Sequence, residues 1–299
     1  MPTRPLCVAL LFVSLLYCQS VLATPQSQQV EMLLTQAEDF LAKDPDQAEA
    51  LIEEALELAP TRADVHFLCG QIMGIQASQS IFSALGYAEK SLNCLKQAAI
   101  LEPENIDYQY ALMMFYTMAP GIAGGDDEIA WQLVNDIAAK DSLMGTRAKL
   151  QYFLQNDDEK AFAKTLNEAI TTYPQHAEFY YRQGLKLQED KQFEQALIAF
   201  ARATNATIDD EDADFKLSAL YQIGRNAVFS EQGVSEGIEA LLSYVEQPFD
   251  NEELPSKPWA HYRLAQLYKL QNDKAPMKMH LAMAADTDDE RLQDTLDDF

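Results

Sequence analysis

The feature that most limits how this chain can fold is a helical spacing of small and large apolar residues that recurs along the sequence. From residue 28 onward the apolar residues return at helical intervals, and they never settle into the alternation typical of a β-strand. The clearest stretch covers residues 177–210 and predicts two helices joined at residues 189–191. Small residues that face large ones let two helices pack closely, so this stretch predicts a helical hairpin. Its key positions are Tyr180, Gly184, Leu187, Ala196, Phe200 and Ala203.

The second-helix half of this pattern recurs elsewhere with separations of four, three and five residues. Each recurrence ends on a proline that is expected to stop a helix. Weaker matches at residues 130–137, 220–241 and 264–284 bring the total to about seven antiparallel helix hairpins. The clear recurrences are Ala48, Ile52, Ala55 and Pro60; Ser91, Leu95, Ala98 and Pro103; and Phe162, Leu166, Ala169 and Pro174.

Two segments depart from this regular spacing. The second hairpin carries about nine extra residues, spread over 74–82, which predict either longer helices or a real loop. The third hairpin carries about five extra residues within 119–126, a segment with one proline and three glycines. These glycines lack the spacing of a phosphate-binding loop. We expect a rigidly shaped turn instead, with Asp126 or Asp127 capping the helix that follows.

The first residues have the pattern of an export signal. Arg4 supplies a positive charge, residues 6–17 form an apolar run, and small or aliphatic residues lead up to Ala23. This pattern predicts a secretory signal peptide over residues 1–23, with cleavage after Ala23 and a periplasmic location. A lipoprotein anchor at Cys18 is the alternative, although the bulky Tyr17 precedes that cysteine. No later stretch reaches the roughly 20 apolar residues of a membrane span.

The order of large, small and aromatic residues in 177–210 resembles the tetratricopeptide repeat (TPR), whose unit is about 34 residues long. With the signal-like start and the turn at 119–126, the chain looks like exported TPR proteins of Gram-negative bacteria. The resemblance implies an all-α fold, a right-handed α-solenoid that occupies residues 24–299. Its structural repeat positions would be Gly70, Gly184, Ala196, Phe200, Ala203 and Gly224.

The net charge limits the kinds of partner that the protein can bind, and the cysteines bear on whether it forms a disulfide. With 47 acidic and 22 basic residues the formal net charge is -25, which opposes binding to nucleic acid and anionic lipid. Solubility or attraction of a basic partner would explain this acidity. Cleavage after Ala23 would remove Cys7 and Cys18 and leave Cys69 and Cys94 where disulfides are permitted. A bridge between them is one outcome, and buried free thiols are the favoured one.

No set of residues in the sequence points to catalysis, a cofactor or a metal ion. The histidines are scattered over separate hairpins, and neither a nucleophile motif nor a metal-ligand spacing is present. Two of them, His66 and His261, stand at the position of Tyr180 in the clear repeat, which predicts core packing. The acidic runs 209–212 and 286–290 lack the alternating ligands of a calcium loop, so we expect solvated charge there. The other two histidines are His176 and His280.

Five aromatic residues at the same position in the first helices of different hairpins are the strongest indication of function in the sequence. In TPR arrays this position resembles one that faces the concave groove, so the resemblance predicts that the aromatic residues bind a partner. Arg225 and Gln266, each four residues beyond one of the rings, would share the groove. Packing alone is the alternative explanation for these aromatic residues. The five residues, each three positions before the usually small residue of a first helix, are Phe67, Tyr110, Tyr181, Tyr221 and Tyr262.

These features favour an interaction protein over an enzyme. The leading hypothesis is a periplasmic scaffold or adaptor whose concave groove binds an apolar-aromatic or basic peptide or helix of a partner protein. Aromatics occupy the positions where acid-binding TPR proteins carry lysine, arginine and asparagine, so a clamp for acidic peptides is not expected. The alternatives are an accessory protein that positions a substrate or cell-wall polymer for a separate enzyme, and an outer-membrane-anchored lipoprotein version of the scaffold. Direct catalysis is not expected, because no acid, base and nucleophile converge.

Overall fold

A computed structural model of the protein describes residues 25–41, 43–207, 212–248, 251 and 254–299. Every regular element within these residues is helical. The predicted signal peptide, its cleavage site at Ala23 and the alternative anchor at Cys18 lie outside the described residues and stay predictions. Within the described part of the chain, no helix is both long enough and apolar enough to cross a membrane.

Fifteen α-helices lie within the described residues, and a short 3-10 helix, Gly121–Ala123, follows the fifth of them. The α-helices are α1 (Pro25–Phe40), α2 (Pro45–Leu58), α3 (Ala63–Gln79), α4 (Ala84–Leu101), α5 (Ile106–Met118), α6 (Asp127–Lys140), α7 (Ser142–Gln155), α8 (Glu159–Thr172), α9 (Ala177–Glu189), α10 (Phe193–Thr204), α11 (Ala213–Ser230), α12 (Val234–Glu246), α13 (Lys257–Leu270), α14 (Lys274–Ala284) and α15 (Glu290–Asp297).

The helices group into two compact units, which divide between Asp141 and Ser142. In the first unit, α1 to α6 pair into three hairpins. In the second unit, α7 to α14 pair into four hairpins, and α15 packs against α13. The seven hairpins confirm the predicted all-α fold.

Local signals in the sequence place the helix ends correctly. Helices α2, α4 and α8 each end two residues before a predicted stop proline, at Leu58, Leu101 and Thr172. Proline disfavours helical backbone in the residue before it, so the helix ends ahead of the ring. Helices α9 and α10 are joined at residues 190–192, one residue beyond the predicted junction at 189–191.

Close packing between the two helices of a hairpin depends on glycine. A Cβ atom on Gly224 would lie 2.2 Å from Cγ of Leu241, and one on Gly184 would lie 2.4 Å from the ring of Phe200. These distances are well below van der Waals contact, so only a residue without a side chain fits there. The other repeat positions of the clear hairpin are fully buried: Ala196, Phe200 and Ala203.

The extra residues of the second hairpin lengthen its helices. Helix α3 has 17 residues and α4 has 18, against 13 and 12 for α9 and α10. Only residues 80–83 link the two long helices. Of the two outcomes that the sequence left open, the structure therefore has longer helices with a short link.

A disulfide joins these long helices. Cys69 on α3 and Cys94 on α4 are bonded, with Cα atoms 5.9 Å apart. The expectation of free thiols is therefore wrong. The reason is the next contact along the hairpin, where Gly70 faces Leu95 with no intervening side chain. That contact brings the two backbones close enough for the preceding residues to bridge.

The turn between α5 and α6 has the predicted cap and is held by hydrogen bonds. The side chain of Asp126 accepts hydrogen bonds from the backbone N–H groups of Glu128 and Ile129, which caps α6. A Cβ atom on Gly125 would lie only 1.7 Å from the carbonyl oxygen of Ala119, so glycine is required there. The N–H groups of residues 123–125 donate to carbonyl oxygens within the turn, which leaves them engaged inside the protein.

One acidic residue predicted as solvated charge is buried instead. Asp212 is fully buried and accepts a hydrogen bond of 2.7 Å from the backbone N–H of Ala177, at the start of α9. The residue that precedes α9, His176, provides no side-chain cap, so the carboxylate of Asp212 supplies that role from a distant part of the chain. Its oxygen also lies 3.3 Å from Nδ1 of His176.

Replacing Gly224 with alanine tests the close packing of the hairpins. We expect Gly224→Ala to lower stability by roughly 1–3 kcal/mol, because the new methyl group collides with Leu241. The matched control is Gly86→Ala, where nothing lies within 4 Å of the added Cβ atom, and we expect it to keep or slightly raise stability. Urea unfolding followed by circular dichroism measures both, and equal midpoints for the two variants would contradict this account.

The disulfide is expected to stabilise the folded protein, which can be tested separately. A bridge across a separation of 25 residues is expected to contribute about 3 kcal/mol, so a reducing agent should lower the unfolding midpoint of the wild-type protein. The double variant Cys69→Ala/Cys94→Ala should unfold at a lower denaturant concentration and should not respond to the reducing agent. A wild-type midpoint that reductant leaves unchanged would argue against a stabilising bridge.

Candidate functional site

A cavity of about 920 Å³ opens in the first unit between α3, α4 and α5. Residues within 67–78 of α3, 84–95 of α4 and 107–118 of α5 form its walls. The start of the 119–126 turn, including Pro120 and Ala123, completes the lining. Both segments that depart from the regular repeat spacing therefore meet at this cavity.

Small residues make the space, and large apolar residues surround it. Gly74, Ala84 and Ala88 line the cavity where larger side chains would fill it. Ser91, one of the polar residues in the lining, already donates a hydrogen bond of 2.7 Å to the carbonyl oxygen of Gly70. The cavity is therefore suited to an apolar occupant. Its large apolar lining residues are Phe67, Leu85, Leu95, Met114, Phe115 and Met118.

Exposed apolar side chains stand in the segments next to this cavity. Phe82, in the link between α3 and α4, is 99% exposed, and Ile81 beside it is almost as exposed. Ile122 in the 3-10 helix is 81% exposed. Leu85 and Met118 belong to the lining itself and are both more than half exposed. Large apolar residues concentrated at one site mark interaction surfaces on soluble proteins. We call these five residues the apolar rim.

The first unit is strongly acidic around this apolar site. Residues 25–141 contain 19 acidic and five basic residues. Three of the five basic side chains are already paired: Lys90 with Glu49, Lys140 with Glu104, and Arg62 with acidic neighbours. The surface of this unit therefore favours a basic partner.

Two of the predicted groove residues, Phe67 and Tyr110, line this cavity. Phe67 is partly exposed, and its ring packs against that of Tyr108 with centroids 4.8 Å apart. The structure thus brings these two aromatic residues together with lining residues that the sequence did not single out.

The predicted groove residues of the second unit differ in exposure. Tyr181 is half-buried, with its ring between those of Phe200 and Phe215. Tyr221 and Tyr262 are only 6% and 7% exposed. Burial of this degree means that these two rings mainly fill the space between helices, and that little of their surface is available to a ligand.

In the fourth hairpin, formed by α7 and α8, Arg147 lies near the position that carries an aromatic residue in other hairpins, and it takes part in an ion-pair network. Arg147 donates a hydrogen bond of 2.7 Å to Glu178, and Arg182 donates one of 3.0 Å to the other oxygen of the same carboxylate. Glu178 is almost fully buried, so the two arginines are needed to balance its charge.

The polar residues predicted for the groove are held by neighbouring side chains. Arg225 donates hydrogen bonds to Gln188 and Gln222, at 2.8 and 3.2 Å. Gln266 accepts a hydrogen bond from Arg263 and donates one to the hydroxyl group of Tyr262. Burial, followed by the nearby positive charge of Arg263, lowers the pKa of Arg225 below its usual range.

The histidines form no metal site in the described part of the chain, where no group of three or more potential metal ligands comes together. His66 is partly exposed and its Nε2 lies 2.9 Å from the carbonyl oxygen of Pro60. His261 on α13 and His280 on α14, which we expected in separate hairpins, lie in the same hairpin with their rings stacked and their Nδ1 atoms 3.1 Å apart. The ring of Tyr268 is parallel to that of His280, with centroids 5.5 Å apart.

Sequence reasoning missed most of the cavity because its members come from different helices. Leu85, Met114 and Met118 fit ordinary helical spacing and carry no signal by themselves. The segment at Ile81 and Phe82 was the available signal, since two large apolar residues there interrupt a run of polar ones between the two helices of the second hairpin. Apolar residues in a link between helices are candidates for binding, not for the core.

The fold was compared with known proteins. No family model matches the sequence, and no curated protein matches it in sequence. Yeast Tom70 matches in structure with a TM-score of 0.63 and 18% identity, covering 90% of this chain and 52% of Tom70. The APC/C hetero-tetramer Cut9-Hcn1 matches with a TM-score of 0.52 and 10% identity, covering 91% and 50% of the two chains. A monomeric mutant of IFIT1 with m7Gppp-AAAA matches with a TM-score of 0.52 and 15% identity, covering 89% and 61%.

These likenesses define the fold. The chain has the tetratricopeptide-type helical repeat fold predicted from residues 177–210. It spans about half to three fifths of the length of the structures just described.

The stacked histidines predict that stability depends on pH. Burial lowers the pKa of both residues, with Lys257 adding to the effect on His261 and His261 adding to that on His280. Between the unfolded pKa of about 6.5 and the lower folded pKa, the unfolded state binds more protons. This contribution to stability is therefore present above about pH 6.5 and is lost as the pH falls.

The variant His280→Phe isolates this effect. We expect wild-type protein to lose on the order of 1 kcal/mol more than the variant when the pH is lowered from about 7.5 to 5.5. Urea unfolding at both pH values measures the difference, and the acidic residues common to both proteins cancel in the comparison. An equal loss in the two proteins would show that the histidine pair does not respond to pH.

Proposed function

We propose that this protein is an interaction scaffold whose first unit binds an apolar segment of a partner protein in the cavity between α3, α4 and α5. The observation that carries the proposal is the apolar rim, Ile81, Phe82, Leu85, Met118 and Ile122, beside a cavity with a mainly apolar lining. Exposed side chains of this size are unfavourable in water and become buried when a partner docks.

The acidic surface of the first unit indicates that the partner segment is basic. With 19 acidic and five basic residues in 25–141, the first unit attracts lysine and arginine at its surface. A peptide or helix with apolar anchors and basic flanks would fit both the cavity and its surroundings. The predicted groove set of Phe67, Tyr110, Tyr181, Tyr221, Arg225, Tyr262 and Gln266 stays a wider proposal, of which the first two lie in the cavity.

An exported, periplasmic location is part of the same proposal. The signal-like residues 1–23 motivate it, and the bridge between Cys69 and Cys94 supports it, because disulfides persist mainly in oxidising compartments. Lipid anchoring through Cys18 is the alternative form of the exported protein.

Other functions receive less support from the described residues. An accessory role with a cell-wall polymer would favour many polar groups to bind the hydroxyl groups of the polymer, whereas the surface of this cavity is mainly apolar. RNA accompanies the structurally similar IFIT1, but a net charge of -25 opposes a polyanion in this chain. We therefore favour a protein partner, bound without catalysis.

Site-specific photo-crosslinking in cells tests the proposal. A photoreactive residue at Leu85 or Met118 should capture a partner, and the captured segment, identified by mass spectrometry, should contain apolar residues flanked by lysine or arginine. The matched control is the same photoreactive residue at Asn93, which is exposed on α4 but lies outside the cavity lining.

A charge substitution in the rim provides the second arm. Met118→Glu should leave the unfolding midpoint nearly unchanged, because Met118 is mostly exposed. It should weaken binding of the captured peptide at least tenfold, since a carboxylate at an apolar contact loses its hydration on binding. Equal capture from Asn93, or unchanged affinity in Met118→Glu, would refute the cavity as the binding site.

A further inference from the structure

Two arginines of the second unit lie together around one aromatic ring. The guanidinium carbon of Arg225, on α11, lies 4.7 Å from the centroid of the Phe229 ring, and that of Arg263, on α13, lies 5.7 Å from the same centroid. Arg263 also approaches the rings of Trp259 and Tyr262, at 5.8 and 5.4 Å. Phe229 itself is 45% exposed, so the cluster can be reached from solvent.

Neutral side chains hold both arginines in place. Nη1 of Arg225 donates to the Oε1 atoms of Gln188 and Gln222, and Nη1 of Arg263 donates to Oε1 of Gln266. Gln188 is in turn fixed by a hydrogen bond to Asn226. Amide oxygens orient a guanidinium group without neutralising its charge.

Among the described residues, neither arginine forms an ion pair with a carboxylate. The lack of an ion pair is unusual in a chain with 47 acidic and 22 basic residues. Arg147 and Arg182, for example, both pair with an acidic residue. The Nε–H group of Arg263 is buried and meets no hydrogen-bond acceptor in the described part of the chain. Within the described residues the two like charges therefore lie near each other with no carboxylate paired to either one.

That arrangement is unfavourable for the protein alone. The pKa of Arg225 is lowered first by burial and then by the charge of Arg263, and no Asp or Glu of the described residues counteracts that shift. Like charges held together by fixed neighbours cost free energy unless an ion of opposite sign sits between or beside them.

We propose that Arg225 and Arg263 form a binding site for an oxyanion, a carboxylate or phosphate group carried by a ligand. Guanidinium groups bind such oxygens in pairs of parallel hydrogen bonds, and the flanking rings of Phe229 and Trp259 would contact the body of the ligand. This site lies in the second unit and is independent of the cavity proposed above. It is a local exception to the acidity that led us to expect only apolar-aromatic or basic ligands.

Titration with simple anions tests the site on the intact protein. Sodium phosphate and sodium acetate, each added at constant ionic strength, should give a saturable rise in the thermal unfolding midpoint for at least one anion, because binding to the native state stabilises it. A response to phosphate alone assigns a phosphate group, a response to acetate alone assigns a carboxylate, and a response to both supports a general oxyanion site.

Two variants and one control complete the test. Arg225→Gln and Arg263→Gln should each weaken the apparent affinity at least tenfold, and without anion they should unfold no earlier than wild type, because the repulsion is removed. This second result separates a binding role from a structural one. Arg202→Gln, exposed on α10, should behave like wild type. No saturable response in wild type, or an unchanged response in both variants, would overturn the proposal.

Discussion

Direct contact between a glycine on one helix and a large apolar residue on the next holds the hairpins of this protein together. Gly224 against Leu241 and Gly184 against Phe200 show the same arrangement in two consecutive hairpins. Because the helices can approach only where no side chain intervenes, these contacts determine the spacing of the backbones. The disulfide between Cys69 and Cys94 depends on that spacing, because it forms beside the close contact between Gly70 and Leu95.

The sequence predicted those parts of the fold that depend on local signals. Helix ends at stop prolines, the cap from Asp126 and the small-against-large pattern are all set within a few residues, so spacing alone reveals them. The burial of Asp212 and the bridge at Cys69 escaped prediction because each depends on a partner 35 or 25 residues away. The cavity escaped for the same reason, since three helices and a turn contribute to it.

The two candidate binding sites, the cavity of the first unit and the arginine pair of the second, differ in the interactions that they offer a ligand. The first unit combines an acidic surface with an apolar cavity, so shape and hydrophobic contact dominate there. In the second unit the rings of Tyr221 and Tyr262 are buried, and the distinctive feature is the pair of arginines Arg225 and Arg263. The aromatic position that the resemblance highlighted therefore serves packing in one unit and lining in the other.

The bridge between Cys69 and Cys94 has a consequence for how the cavity is filled. Each cysteine directly precedes a lining residue, Gly70 on α3 and Leu95 on α4. A covalent bond thus ties the α3 and α4 walls together at the level of the cavity, whereas no such bond holds α5. A bulkier partner segment would therefore be accommodated by movement of α5 and the turn that follows it, so the size of partner that the cavity admits depends on how firmly α5 packs.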